Sequence, residues 1–152
     1  MSRADKAKEY FLQGYACSQA VALAFQDVAG LSEETLCKLT LPFGGGLGRQ
    51  RLVCGAVSGM TAIYGLTCVS GENTPENKKI AYEQTRALCD AFKRENGSLI
   101  CEELLTGAHL KVEIGGTAEN RTAEYYKKRP CAELVYNATE ILENYLKEIG
   151  KI

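Results

Sequence analysis

Seven of the 152 residues are cysteines, which is many for a chain of this length. A thiol can ligate a metal, form a disulfide or simply pack as a small apolar side chain. The N-terminus carries no apolar stretch typical of a secretory signal, so we expect a reducing, cytoplasmic location. In that compartment, cysteine richness indicates metal binding or redox chemistry more than a framework of structural disulfides.

Helix starts distinguish some of these cysteines from the others. Free backbone N–H groups and the helix dipole stabilise a thiolate in the first turn of a helix. Four cysteines fall where the sequence predicts helix starts: Cys17, Cys54, Cys101 and Cys131. The other three fall inside predicted helices or at the end of one, where the dipole opposes a thiolate: Cys37, Cys68 and Cys89.

The four helix-start cysteines are the candidate catalytic thiols and the candidate metal ligands. They are 37, 47 and 30 residues apart along the chain, so they lack the close C-x-x-C pairs of zinc ribbons and thioredoxin-type motifs. If they act together, the fold must gather them from distant helices. Four convergent thiolates suit an iron–sulfur cluster and, with less support from the spacing, zinc; without a cofactor they would cycle between thiol and disulfide.

A glycine-rich segment, Phe43–Arg51, precedes Cys54. It matches neither nucleotide-binding glycine motif, and no strand is predicted before it. Its exposed N–H groups could approach a cofactor or cradle an anion, which makes the following residues candidates for cofactor binding: Gly45, Gly46, Gly48, Gly55 and Arg51. An alternative function follows from the same segment: a module that binds a ligand or anion through the loop, Arg49 and Arg51, with cysteines that only pack.

Helical periodicity dominates the elements that must position these residues. The sequence predicts an all-α fold, with residues 1–152 forming a single-domain helical bundle. Its centre is a small-residue helix over about 52–67, directly after the glycine-rich loop, in which Gly55 and Gly59 allow a neighbouring helix to approach closely. Ser32, Thr74 and Ser98 are predicted N-caps. The segment 107–119 is the least regular part of the chain.

Composition argues against nucleic-acid binding and against a membrane-spanning segment. A formal net charge of −1 and the lack of a long basic run argue against nucleic acid. Twenty residues, 52–71, carry no charge, but their glycine, serine and threonine content predicts a buried helix instead of a membrane span.

The motifs together resemble the C_GCAxxG_C_C family of redox-active proteins. The resemblance extends from about residue 4 to 146 and is carried by GYACSQA at 14–20, FGGGLG at 43–48, CGAVSG at 54–59, GSLICEELL at 97–105, and Cys131 followed by Leu134 and Val135. It places the four motif cysteines of the family on Cys17, Cys54, Cys101 and Cys131. It implies a helical protein with an unidentified redox partner, and it favours a redox carrier or thiol oxidoreductase over a hydrolase or transferase.

Family members often sit near transporter genes, so the resemblance also allows a peripheral link to a transporter. Some relatives carry haem-attachment segments. This chain has no C-x-x-C-H sequence, so the resemblance does not imply haem c.

Overall fold

A computed structural model describes residues 1–152 and confirms the predicted all-α class. The only β-type pairing is one isolated antiparallel bridge between Val53 and Ile100. The helices are α1 (Arg3–Leu12), α2 (Cys17–Leu23), α3 (Gln26–Ala29), α4 (Glu33–Thr40), α5 (Gly44–Leu47), α6 (Gly55–Cys68), α7 (Pro75–Asn96), α8 (Cys101–Gly107), α9 (Ala123–Lys128) and α10 (Cys131–Glu148). No helix is both long enough and apolar enough to cross a membrane.

Polar N-caps set several of the helix starts. The hydroxyls of Ser32 and Thr74 accept the backbone N–H groups of the third helical residues of α4 and α7, as the sequence predicted. The predicted cap at Ser98 is wrong. Helix α8 begins at Cys101, and the Ser98 hydroxyl instead accepts the N–H of Ile100 and donates to the Glu103 carboxylate. Cys101 is therefore the first residue of its helix.

The core lies between α2, α6 and α10, with α1 packed on α10 and part of α7 against both α6 and α10. Its largest fully buried side chains include Phe11, Phe25, Phe92, Met60 and Ile63. Helix α6 meets α2 at very short range, because a Cβ built at Gly59 would lie 2.6 Å from the backbone oxygen of Ser18. This confirms the close approach that the small residues of α6 predicted, although the helix starts at Gly55 and not near Leu52.

The glycine-rich segment forms a tight turn in front of α6, and its short helix α5 is irregular because Gly45 and Gly46 have non-helical backbone angles. Gly45, Gly46 and Gly48 have φ values of 67°, 69° and 60°, in the left-handed region that glycine adopts most easily. Arg49 and Arg51 have φ values of 65° and 62°. A non-glycine residue pays a conformational cost there, so the surrounding contacts hold this turn in its shape.

The segment between α8 and α10 is irregular except for α9, a helix that the sequence analysis did not predict. This segment folds back over the glycine turn. Gly115 donates its N–H to the carbonyl of Arg49 at 2.9 Å, and its own carbonyl accepts from Arg49 Nε at 2.8 Å. The Glu113 carbonyl accepts from Arg51 Nε at 2.9 Å.

Candidate functional site

Four helix N-termini converge on one cavity of about 340 Å³. Cys17, Cys101 and Cys131 are the first residues of α2, α8 and α10, and Cys54 is the N-cap of α6. All four cysteines line the cavity. The structure therefore gathers thiols that lie far apart in the sequence, while Cys37, Cys68 and Cys89 are not part of its lining.

Backbone pairing brings two of these cysteines together. Cys54 donates its N–H to the carbonyl of Leu99 at 2.8 Å, and Cys101 donates its N–H to the carbonyl of Leu52 at 2.6 Å. The two bonds flank the Val53–Ile100 bridge, so the chain just before α6 runs antiparallel to the chain just before α8. Cys54 is the most buried of the four, at 5% exposure, whereas the other three residues are each partly exposed as a whole.

Glycines make room for the cysteines. A Cβ built at Gly55 would lie 2.5 Å from the sulfur of Cys17, and one built at Gly46 would lie 2.8 Å from the Cβ of Cys101. Both distances are too short for any side chain. Of the glycines predicted to bind a cofactor, Gly45, Gly48 and Gly55 line the cavity, whereas Gly46 lies behind Cys101.

Arginines surround the thiols. Arg51, which is 5% exposed, donates from Nη1 to the sulfur of Cys101 at 3.7 Å. Arg121 lies close enough to Cys17 and Cys131 to favour their ionised forms. Its Nη1 and Nη2 donate to the carbonyls of Phe11 and Tyr15, and its guanidinium stacks on the Phe11 ring at 4.4 Å.

The sequence predicted stabilised thiolates at these helix starts, and the structure corrects this for three cysteines. Burial raises the pKa of Cys17, although the N–H groups of Gly45 and Ser18 lower it. Burial and the neighbouring cysteines raise the pKa of Cys54 well above its usual range, and burial raises that of Cys131 to about 12. Desolvation outweighs the helix N-termini, so these groups are neutral thiols near pH 7 when nothing is bound.

The four sulfurs line one cavity, and no two of them are joined in a disulfide. All seven cysteines are free, and no group of three or more His, Cys, Asp or Glu side chains is placed to hold a metal ion. Four sulfurs around one tetrahedral zinc would have to lie about 3.8 Å apart, given Zn–S bonds of about 2.3 Å. A polynuclear cluster, in which different irons take different thiolates, occupies a wider space, and the four-thiol lining with nearby N–H groups fits its donor chemistry.

Sequence reasoning missed several side chains of the cavity, among them Arg121, Tyr125 and Arg129. Arg129 lies two residues before Cys131 in the sequence. That spacing could have indicated a cation close to this cysteine. Arg121 gave no such signal, since it belongs to the irregular segment and reaches Phe11 and Tyr15, over 100 residues earlier in the chain.

The protein is thus an all-α protein in which four cysteines line one cavity. Residues 15–145 match the family model described as "Putative redox-active protein (C_GCAxxG_C_C)". The chain belongs to this family. No curated protein and no solved structure matches it.

Proposed function

We propose that this protein is an electron carrier whose Cys17, Cys54, Cys101 and Cys131 ligate an iron–sulfur cluster. The observation that carries the proposal is the convergence of these four thiols, each from a different helix start, on one cavity of about 340 Å³. Fully cysteine-ligated clusters take four thiolates. When bound, such a cluster supplies one-electron redox chemistry.

The groups around the thiols support this assignment. Hydrogen bonds to ligating sulfurs and positive charge nearby stabilise the negative charge of a thiolate-bound cluster. The N–H groups of Gly45 and Ser18 favour the ionised form of Cys17, and those of Ala56 and Val57 favour that of Cys54. Arg51 donates to Cys101. The protein thus provides donors to three of the four sulfurs.

The raised thiol pKa values add a requirement to the proposal. Thiols must lose their protons to ligate iron, so loading of this site is coupled to proton release. Arg121 and Arg129 lower the pKa of Cys131 from within the same cavity, against the larger effect of burial. They would stabilise the thiolate once iron replaces the proton.

Thiol–disulfide cycling is the competing function of the same residues. It requires two sulfurs to reach bonding distance, about 2.05 Å. No pair in the structure does so, and the cavity lies between the cysteines. A disulfide would use only two of the four sulfurs that line the cavity, whereas a fully cysteine-ligated cluster would use all four, and this favours the cluster.

Anaerobic purification from iron-supplemented cells tests the proposal. We expect a coloured protein with bound iron and acid-labile sulfide, and the loss of both in Cys17→Ser and Cys131→Ser. Cys89→Ser is the matched control, because Cys89 is partly buried on α7 outside the cavity, and it should keep the iron.

A different result would overturn the proposal. In that result, the protein stays colourless and iron-free after anaerobic reconstitution with ferrous iron and sulfide. Mild oxidation then links specific pairs among the four cavity cysteines. That outcome would assign thiol–disulfide cycling instead. Zinc in place of iron, lost in the same two variants, would equally contradict the cluster.

A further inference from the structure

The cavity carries more positive charge than its acidic residues neutralise. Four arginines line it, and Glu119 is the only carboxylate among the lining residues. Glu119 forms an ion pair with Arg129. The remaining three make no ion pair: Arg49, Arg51 and Arg121. Charged groups held at an apolar wall are costly unless a counter-charge is present.

Arg51 and Arg121 are committed to fixed partners inside the protein. Arg51 donates to the Glu113 carbonyl and to the sulfur of Cys101. Arg121 donates to two carbonyls and stacks on aromatic rings. Both therefore act mainly as fixed charges in the wall.

Arg49 differs from both. Its Nε donates to the Gly115 carbonyl at 2.8 Å, which holds the base of the guanidinium. Its two terminal nitrogens, which carry four N–H donors, make no hydrogen bond within the protein. The backbone bond from Gly115 N–H to the Arg49 carbonyl fixes the residue from its other side. Arg49 thus presents a positioned and unused donor fork to the cavity.

The position of Arg49 in the cavity indicates how a ligand would reach it. Gly48, Gly116 and Ala118 line the cavity and are exposed, so they mark its mouth, whereas Cys54 is a buried part of its lining. Arg49 follows Gly48 and is bonded to Gly115, which places it beside that mouth. Apolar side chains such as Phe11 and Leu134 line other parts of the wall and reduce screening of the charges by water.

We propose that the mouth of this cavity binds a small anion, a carboxylate or a tetrahedral oxyanion, through the terminal nitrogens of Arg49. Both anion types offer paired oxygens that match a guanidinium fork, and such charge-assisted bidentate pairs are the strongest hydrogen-bonded contacts in proteins. Arg121 and Arg51 add fixed positive charge around the ligand. The inference goes beyond the redox function and needs no cluster, because none of the binding groups is a thiol.

Isothermal titration of the purified full-length protein tests this site, with inorganic phosphate, sulfate and acetate as separate probes at constant ionic strength. We expect saturable binding of at least one probe, weakened about tenfold or more in Arg49→Gln, since a lost bidentate ionic pair is worth at least about that factor. The probe that binds tells a tetrahedral oxyanion from a carboxylate. Arg86→Gln is the matched control, because Arg86 is exposed on α7 and is not part of the cavity lining.

Arg49→Lys keeps the charge without the fork and should bind with intermediate affinity. Circular dichroism of each variant establishes that it is folded. The proposal is overturned if none of the three probes binds saturably, or if Arg86→Gln weakens binding as much as Arg49→Gln.

Iron analysis of the same samples separates this inference from the redox proposal. Anion binding by iron-free protein that cannot be reconstituted would support the anion site while refuting the cluster. Iron-loaded protein that binds no probe would refute the anion site alone.

Discussion

Gly55 lies directly against the sulfur of Cys17, where a Cβ would be only 2.5 Å from the sulfur and 3.0 Å from the carbonyl oxygen of Phe43. The first residue of α6 therefore decides where the first residue of α2 can place its thiol. This contact with the Cys17 sulfur gives Gly55 a structural role within the CGAVSG segment.

We predict that Gly55→Ala displaces the Cys17 sulfur and lowers the iron content of anaerobically purified protein to well below half that of wild type. The reason is steric, since carbonyl and sulfur both contact the added methyl group. Gly65→Ala is the control on the same helix, because a Cβ there meets nothing within 4 Å. Full iron in Gly55→Ala would mean that Cys17 is not a ligand or that α2 shifts without cost.

Gly59→Ala should lower the free energy of unfolding by about 1–3 kcal/mol, the usual range for overpacking a close interface. The added Cβ would lie 2.6 Å from the backbone oxygen of Ser18, and a backbone atom cannot move aside as a side chain can. Urea unfolding of the iron-free protein measures the change. In the same helix, Gly65→Ala should instead stabilise by about 0.5–1 kcal/mol, because alanine has the higher helix propensity. Equal effects of the two substitutions would contradict the tight contact between α2 and α6.

Arg51→Gln should make the reduction potential of the reconstituted protein more negative, on the order of tens of millivolts, where about 59 mV corresponds to a tenfold change for one electron. Arg51 donates to the sulfur of Cys101, and loss of its charge disfavours the more negative reduced state. Arg51→Lys retains the charge and should restore part of the shift. A potential that is unchanged in Arg51→Gln, measured by redox titration, would remove Arg51 from the electrostatics of the site.

The metal-free, reduced protein should lose stability in alkali. Burial raises the pKa of Cys131 to about 12 from an ordinary 9.0, so the folded thiol keeps its proton to a higher pH than the unfolded one. Its contribution is fully present below about pH 9 and is lost as the pH rises from there toward 12. We expect wild type to lose about 1 kcal/mol more than Cys131→Ala between pH 8 and 10.

Denaturant unfolding at several pH values measures this difference. Cys68→Ala, at the far end of α6 and outside the cavity lining, is the comparison for a simple cysteine deletion. Parallel stability curves for wild type and Cys131→Ala over this range would show that Cys131 is solvated in the folded protein.

Local signals in the sequence were enough for most of the helices and for the four cavity cysteines. Caps such as Ser32 and Thr74 act on the nearest N–H groups, so their effect can be inferred without the rest of the fold. The protonation of the thiols could not be inferred in this way. Burial is a tertiary property, and at Cys131 it outweighs the helix start and the neighbouring arginines.

The arginines that line the cavity were only partly predicted, because their placement also depends on tertiary structure. Arg49 and Arg51 were candidates because they adjoin the glycine turn in the sequence. Arg121 joins the cavity only because its segment folds back onto the end of α1, where it finds the carbonyls of Phe11 and Tyr15. Neither its own neighbours in the sequence nor helical periodicity indicates that contact.

The four cavity cysteines come from helix starts spread over most of the chain, from residue 17 to residue 131. A fragment that lacks α2 or the start of α10 therefore cannot contain the complete site, and a nascent chain cannot assemble it until α10 has been synthesised and has docked. An occupant bound to all four sulfurs would act as a multi-point crosslink between the first and last parts of the sequence, and its closure of long loops would stabilise the native state against unfolding. Resistance to proteolysis along the whole chain would then report whether the site is filled.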